Sequence, residues 1–238
     1  MNWSVTDAES PIDSSSGCGP TTISADTADT TLTCTATSAG GTDSQSVTIK
    51  RDATAPALAP TVTPNPVVLN GTATATANAT DAGSGVAAQG CASVITSSVG
   101  AHTVACTATD NAGNSATANA SYTVIYNVCA LYDQTKAHKI GSTIPVKLQL
   151  CDANGVNQSA AGIVVNATGL TKMDSTATAA VDDSGAANSP DNNFRYDATL
   201  GGTGGYIFNL STKGLTLGTW KLGFTAGGAT YAVTFDVR

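Results

Sequence analysis

The stretch Val99-Gly100-Ala101-His102-Thr103-Val104-Ala105-Cys106-Thr107-Ala108-Thr109-Asp110 decides the fold. Val104, Cys106 and Ala108 alternate with mainly polar neighbours, the period of two that marks a strand with one face in a core. The turn residues Asp110-Asn111-Ala112-Gly113-Asn114 follow, and then a second strand from Ala116 to Val124, so the segment reads as a hairpin. An earlier stretch has the same form. Leu32, Cys34 and Ala36 alternate, Ser38-Ala39-Gly40-Gly41 turns, and Ser46 to Lys50 returns.

The two stretches are copies of one module. In the first, Val5-Thr6-Asp7-Ala8-Glu9-Ser10 leads to Cys18 and then to Cys34-Thr35-Ala36-Thr37; in the second, Ala79-Thr80-Asp81-Ala82-Gly83-Ser84 leads to Cys91 and then to Cys106-Thr107-Ala108-Thr109. The second copy also has upstream strands, expected near Thr61 to Leu69 and Thr72 to Thr80 around an Asn70-Gly71 hairpin turn. The first copy has no such stretch. It is expected to be an N-terminally incomplete module with an unpaired edge. Lys50-Arg51-Asp52-Ala53-Thr54-Ala55-Pro56, followed by Pro60, Pro64 and Pro66, reads as a semi-rigid linker. The expected division is a partial module over residues 1–52, a full module over 53–125 and a different domain over 126–238.

Composition agrees with an all-β chain. Hydrophobic residues make up 41%, enough for cores, but aromatics only 5%, and Thr, Ser, Gly and Asn fill much of the remainder. The net charge of -7 and the 11% of charged residues leave no basic stripe for nucleic acid. No apolar run is long enough to span a membrane. Met1-Asn2-Trp3-Ser4-Val5 lacks the basic and apolar regions of a signal peptide, so an export signal is expected upstream of this sequence.

The six cysteines, Cys18, Cys34, Cys91, Cys106, Cys129 and Cys151, contain no CxxC and no Cys/His cluster, which argues against zinc and dithiol redox sites. Fifteen pairings are open in principle. Spacing and the repeat favour Cys18 with Cys34, Cys91 with Cys106 and Cys129 with Cys151, each closing a loop of roughly 15 to 23 residues for about 3 kcal/mol. Disulfides imply an oxidising compartment.

The repeat, with Cys91, Val99 to Asp110 and Asn111-Ala112-Gly113-Asn114, resembles hyalin repeat (HYR) and related bacterial Ig-like modules over residues 1 to about 125. The remainder resembles the bacterial PxKF domain, on Gly141-Ser142-Thr143-Ile144-Pro145-Val146-Lys147-Leu148, Tyr206 to Leu215 and Gly218-Thr219-Trp220. Leu148 stands where that family's name has Phe. The resemblance implies tandem Ig-like antiparallel β-sandwiches, one disulfide in each, within a longer secreted or surface protein of bacteria. It brings no catalytic residues. Alternation in Val146, Leu148 and Leu150, in Tyr206, Phe208 and Leu210, in Trp220, Leu222 and Phe224 and in Tyr231, Val233 and Phe235 supports β-structure independently. Asp182 to Asn193 and Gly201-Gly202-Thr203-Gly204-Gly205 read as loops.

Only two histidines exist, and no GxSxG or SxxK accompanies them. His102 shares the face of Val104 and reads as strand packing; His138, between Lys136 and Lys139, reads as a solvated basic loop. A hydrolase using either as base is the one enzyme class left open. Calcium is the more physical candidate: Asp52 in the linker, Asp81 or Asp7 in interstrand loops, and Asp110, Asn111 and Asn114 at the hairpin tip are hard oxygen donors. The same residues also serve as plain turn formers. Threonine rows at 31, 33, 35 and 37 and at 72, 74 and 76 read as ordinary solvated strand faces.

The leading expectation is therefore a non-catalytic extracellular structural or adhesive spacer joined to other domains of a parent chain. The alternative is a module binding a polysaccharide or cell-surface ligand, with Tyr196, Tyr206, Trp220 or Tyr231 stacking on sugar.

Overall fold

The computed structural model describes residues 1–184 and 192–238, so the middle of the predicted 182–193 loop lies outside the described residues. Among the described residues the chain is all-β, with tandem Ig-like antiparallel sheets and one short 3-10 turn at Leu200–Gly202. Two compact units cluster within it: residues 1–61, 75–92 and 105–120 form one, and residues 62–74, 93–104 and 121–238 the other.

The first module is a single sheet of order β1-β2-β3, from Ile12–Ser16 (β1), Thr27–Ser38 (β2) and Gly41–Arg51 (β3). Leu32 opposes Val47 and Cys34 opposes Gln45 on one face. On the other face Thr31 pairs with Thr48, Thr33 with Ser46, Thr35 with Ser44 and Thr37 with Thr42 through hydroxyl contacts of 2.8 to 3.0 Å. Gly17, at φ 70°, makes the turn into Cys18, and a Cβ there would collide with the Thr33 carbonyl.

The second module comprises Ala57–Leu58 (β4), Thr61–Thr63 (β5), Val67–Val68 (β6), Thr74–Thr76 (β7), Ala79–Thr80 (β8), Val86–Cys91 (β9), Gly100–Asp110 (β10) and Ser115–Ile125 (β11). Its main sheet runs β6-β11-β10-β9, and β4 with β8 and β5 with β7 form small two-stranded pieces. The two stretches expected on either side of Asn70-Gly71 do meet, through β5 and β7, but not as a tight hairpin at that turn. Val67 and Val68 instead cross to lie parallel to Val124 and Ile125. Pro64 and Pro66 explain the break, because neither can donate to a ladder and the run from Thr61 cannot continue as one strand. Asn70 itself sits at φ 58°, with its N–H on the Thr96 carbonyl.

The third module pairs Asn127–Ala130 (β12), Thr143–Cys151 (β14), Gly205–Ser211 (β18) and Arg195–Asp197 (β17) in one sheet, in that order. Ala137–His138 (β13), Ala229–Val237 (β20), Gly218–Ala226 (β19), Val165–Lys172 (β15) and Thr178–Ala179 (β16) form the other. Between them lies an apolar core that includes Leu148, Leu150, Phe208, Leu222, Phe224 and Phe235. Phe194 packs 5.0 Å from Phe208 and 5.5 Å from Phe224. Leu148 is fully buried. Cys18–Cys34, Cys91–Cys106 and Cys129–Cys151 are joined and no thiol is free, which suits an extracellular or secreted protein.

Polar side chains fix the joint between the second and third sheet systems. Asn70 Nδ2 donates to Asp152 Oδ2 at 3.0 Å, and the Ala153 N–H donates to the Leu69 carbonyl at 2.9 Å. The Tyr126 N–H donates to Tyr231 Oη at 2.9 Å. Asp152 Oδ1 also accepts from the Asn154 and Val156 N–H groups. The Asn70 amide, opposed by burial and helped by those N–H groups, holds the Asp152 carboxyl below the usual carboxylate range. A carboxyl depressed in the folded state contributes stability that is complete above its unfolded value and is lost as pH falls through the folded value. Asp152→Asn is therefore expected to lower stability at neutral pH, with the gap from the parent narrowing as pH falls below about 3.9, the free Asp value. Denaturant melts across pH check this; a gap independent of pH contradicts it.

Candidate functional site

Among the described residues, one group of three or more potential metal ligands comes together: Asp52, Asp81 and Asp110, each offering a carboxylate oxygen within 4.8 Å of the others. They come from three separated segments: the linker after β3, the loop after β8 and the end of β10. Asp52 and Asp81 are half-buried and Asp110 is 2% exposed.

Backbone N–H groups make this concentration of negative charge tolerable. Asp52 accepts from the Thr54 N–H at 3.0 Å and the Ser84 N–H at 2.7 Å, and Asp81 from the Gly85 N–H at 2.7 Å. Asp110 accepts from Ala112 and Asn114 N–H at 2.9 and 2.8 Å, and from Asn114 Nδ2 at 2.8 Å. The hydrogen bonds at Asp52, that with the Ser84 side chain first, hold its carboxyl below the usual range. A Cβ at Gly83 would stand 2.5 Å from Asp52 Oδ2, so any larger residue there pushes the Asp52 carboxylate aside.

The two asparagines predicted beside these acids act differently. Asn111 Nδ2 donates to the Ser84 and Gly85 carbonyls, tying the hairpin tip to the loop after β8. Asn114 donates to Asp110 and, at 3.3 Å, to the Asp52 carbonyl. In the first module Ser38 occupies the position equivalent to Asp110. There the Ser38 hydroxyl, with the Glu9 and Ser10 N–H groups, holds Asp7 well below the carboxylate range.

The oxygens of the cluster can surround one ion. Separations of up to 4.8 Å are those of ligands on a common calcium with Ca–O distances of about 2.3 to 2.6 Å. Carboxylates are the hard, charged donors that ion takes.

The linker itself is clamped. Asp26 Oδ1 accepts from Arg51 Nη1 at 2.7 Å and from the Ala53 N–H at 2.9 Å, and its Oδ2 accepts from Thr54 Oγ1 at 2.6 Å. Sequence reasoning singled out Asp52 but missed Asp26, because a lone aspartate in a Ser/Thr-rich stretch carries no local signal.

The other predicted residues divide clearly. Tyr206, Trp220 and Tyr231 are core side chains, so the stacking role considered for them is corrected: their alternation places them on inward faces. Tyr206 Oη is bonded to the Ala160 carbonyl and N–H, and Trp220 Nε1 to the Thr216 carbonyl. Tyr196 is half-buried against Tyr206, ring centroids 5.6 Å apart. The glycine-rich loop is pinned at Gly204 by Gln149 and Asn157.

His102 stacks on Tyr122 at 5.5 Å with Nε2 2.8 Å from the Ser98 carbonyl, the packing role its face implied. His138 lies not in a solvated loop but in β13, parallel to β20, where the Asp236 to Arg238 end of the chain supplies a strand to pair with. Burial, and then Lys136 and Arg238, lower its pKa.

No family model matches the chain, and no curated protein does. Among solved structures it is similar to the three-Ig fragment I67–I69 of titin, at 13% identity and a TM-score of 0.32, over 88% of this chain and 74% of that one. It is also similar to the N-terminal eight Ig domains of Down syndrome cell adhesion molecule, at 11% identity and a TM-score of 0.32, over 88% and 27% of the two chains. A third similar structure is surface layer protein SbsC, domains 1–6, at 15% identity and a TM-score of 0.25, over 87% and 32%.

Proposed function

We propose that the chain is a non-catalytic structural or adhesive spacer of an extracellular protein, with modules of the HYR and PxKF kind implied by its sequence and a bacterial surface as its setting. The observation that carries this reading is where the polar side chains at the linkers go. Asp26 clamps Arg51, Ala53 and Thr54, and Asn70 with Asp152 closes the next joint. Segments that would otherwise hinge are hydrogen-bonded to a neighbouring sheet, as a spacer transmitting position requires. Asp26→Ala is expected to expose the bonds after Lys50 and Arg51 to trypsin, accelerating cleavage there about tenfold or more if local opening governs the rate. Unchanged cleavage at that point argues against clamped linkers.

A second reading, favoured by the convergence of Asp52, Asp81 and Asp110, is that calcium stiffens the end of the second module nearest the linker. Titration calorimetry with calcium on the oxidised protein is expected to show one site. Asp110→Asn should weaken it by at least about tenfold, the effect of losing even an outer-shell partner elsewhere. Gly83→Ala, which displaces Asp52, should weaken it too, while Asp7→Asn leaves it intact. Absence of calcium heat in the parent protein refutes this reading without touching the first.

A further inference from the structure

We propose that the second module bears tension along the chain, through a short parallel pairing that the pull loads in shear. Val67 and Val68 of β6 lie parallel to Val124 and Ile125 at the end of β11, and the Leu69 N–H donates to the Ile125 carbonyl at 2.7 Å. β6 stands near the start of the module and β11 closes it. A pull on the chain therefore draws β6 back towards its own N-terminal end and β11 forward towards Tyr126. Because the two strands point the same way, those forces are opposed along the strand axis. The bonds between them share the load and must break together, whereas a pull across the sheet parts them one at a time.

The residues just before β6 would weaken this pairing, since neither Pro64 nor Pro66 has an N–H to give. Asn65, between them, supplies the missing bonds with its side chain. Its Oδ1 accepts from the Thr123 N–H at 3.0 Å and its Nδ2 donates to the Ser121 carbonyl at 3.4 Å, so the attachment to β11 runs from Ile125 back to Ser121. Asn65 is exposed, so these bonds rather than burial are its contribution. Val67, Leu69 and Val124 are buried, and sliding β6 along β11 drags Val67 and Leu69 out of the core. The disulfides leave this pair in the line of tension, because the Cys91–Cys106 loop contains neither β6 nor β11. In the third module Ala137 and His138 also lie parallel to Asp236 and Val237, but inside the Cys129–Cys151 loop, and that bond passes tension round them. Load bearing rests on the spacer reading, which the Asp26→Ala cleavage test addresses separately.

The test pulls the oxidised full chain in an optical trap by non-cysteine reactive handles at two pairs of exposed positions. Thr63 with Asn127 loads β6 and β11 along their length, and Thr63 with Thr103 of β10 draws β6 off sideways. At one applied force the lengthwise geometry should unfold the module at least about tenfold more slowly, forced unfolding being set by the unfolding rate. Asn65→Ala, which removes two exposed bonds, should speed lengthwise unfolding about tenfold and leave sideways unfolding within about twofold. Equal rates in the two directions in the parent protein overturn the proposal, and so does lengthwise unfolding that Asn65→Ala leaves unchanged.

Discussion

The constraint on which the rest depends is the register of the long hairpins. Once Cys106 lies opposite Cys91 in β10 and β9, every second residue of β10 is committed to the core, and the side chains of Thr103, Thr107 and Thr109 to the other face. The same hairpin delivers Asp110 to its tip, where Asn114 and two N–H groups hold it beside Asp52 and Asp81. A slip of one residue would turn Cys106 outward and Asp110 with it. Disulfide, core and carboxylate cluster are thus consequences of one pairing.

That pairing explains why so aromatic-poor a chain holds together. The first two modules bury mainly valine, alanine and cysteine, and the disulfides offset part of the chain entropy that small cores leave uncompensated. The third module keeps most of the aromatic rings and builds a full two-sheet core around them. Between these parts the polar residues act as fasteners. Asp7, Asp26, Asp52, Asp110 and Asp152 all receive backbone N–H groups, so turns stabilise these carboxylates in their charged form.

The hairpins, the cysteine pairs and the inward faces of the third module were legible in the sequence because alternation and repetition are local signals. The path from Thr61 to Thr80 was not. Val67 and Val68 look like any apolar pair, and nothing local says that they leave one sheet for the other. His138 was misplaced for a similar reason: its strand exists only because the distant Asp236–Arg238 end runs alongside it. For the candidate metal centre the residue types were readable, whereas the meeting of Asp52 with Asp81 and Asp110 depends on loops separated by tens of residues. Tyr206, Trp220 and Tyr231 could be read either as core or as a stacking platform, and burial decides for core.

Named hydrogen bonds lock joints that could otherwise have hinged. Backbone ¹⁵N relaxation of residues 62–74, 93–104 and 121–238 tests it most directly, since Asn70, Asp152, Tyr126 and Tyr231 all lie within that compact unit. With the joint locked, their amides tumble with one common rotational diffusion tensor. Separate tensors for the residues before and after Tyr126 would contradict it.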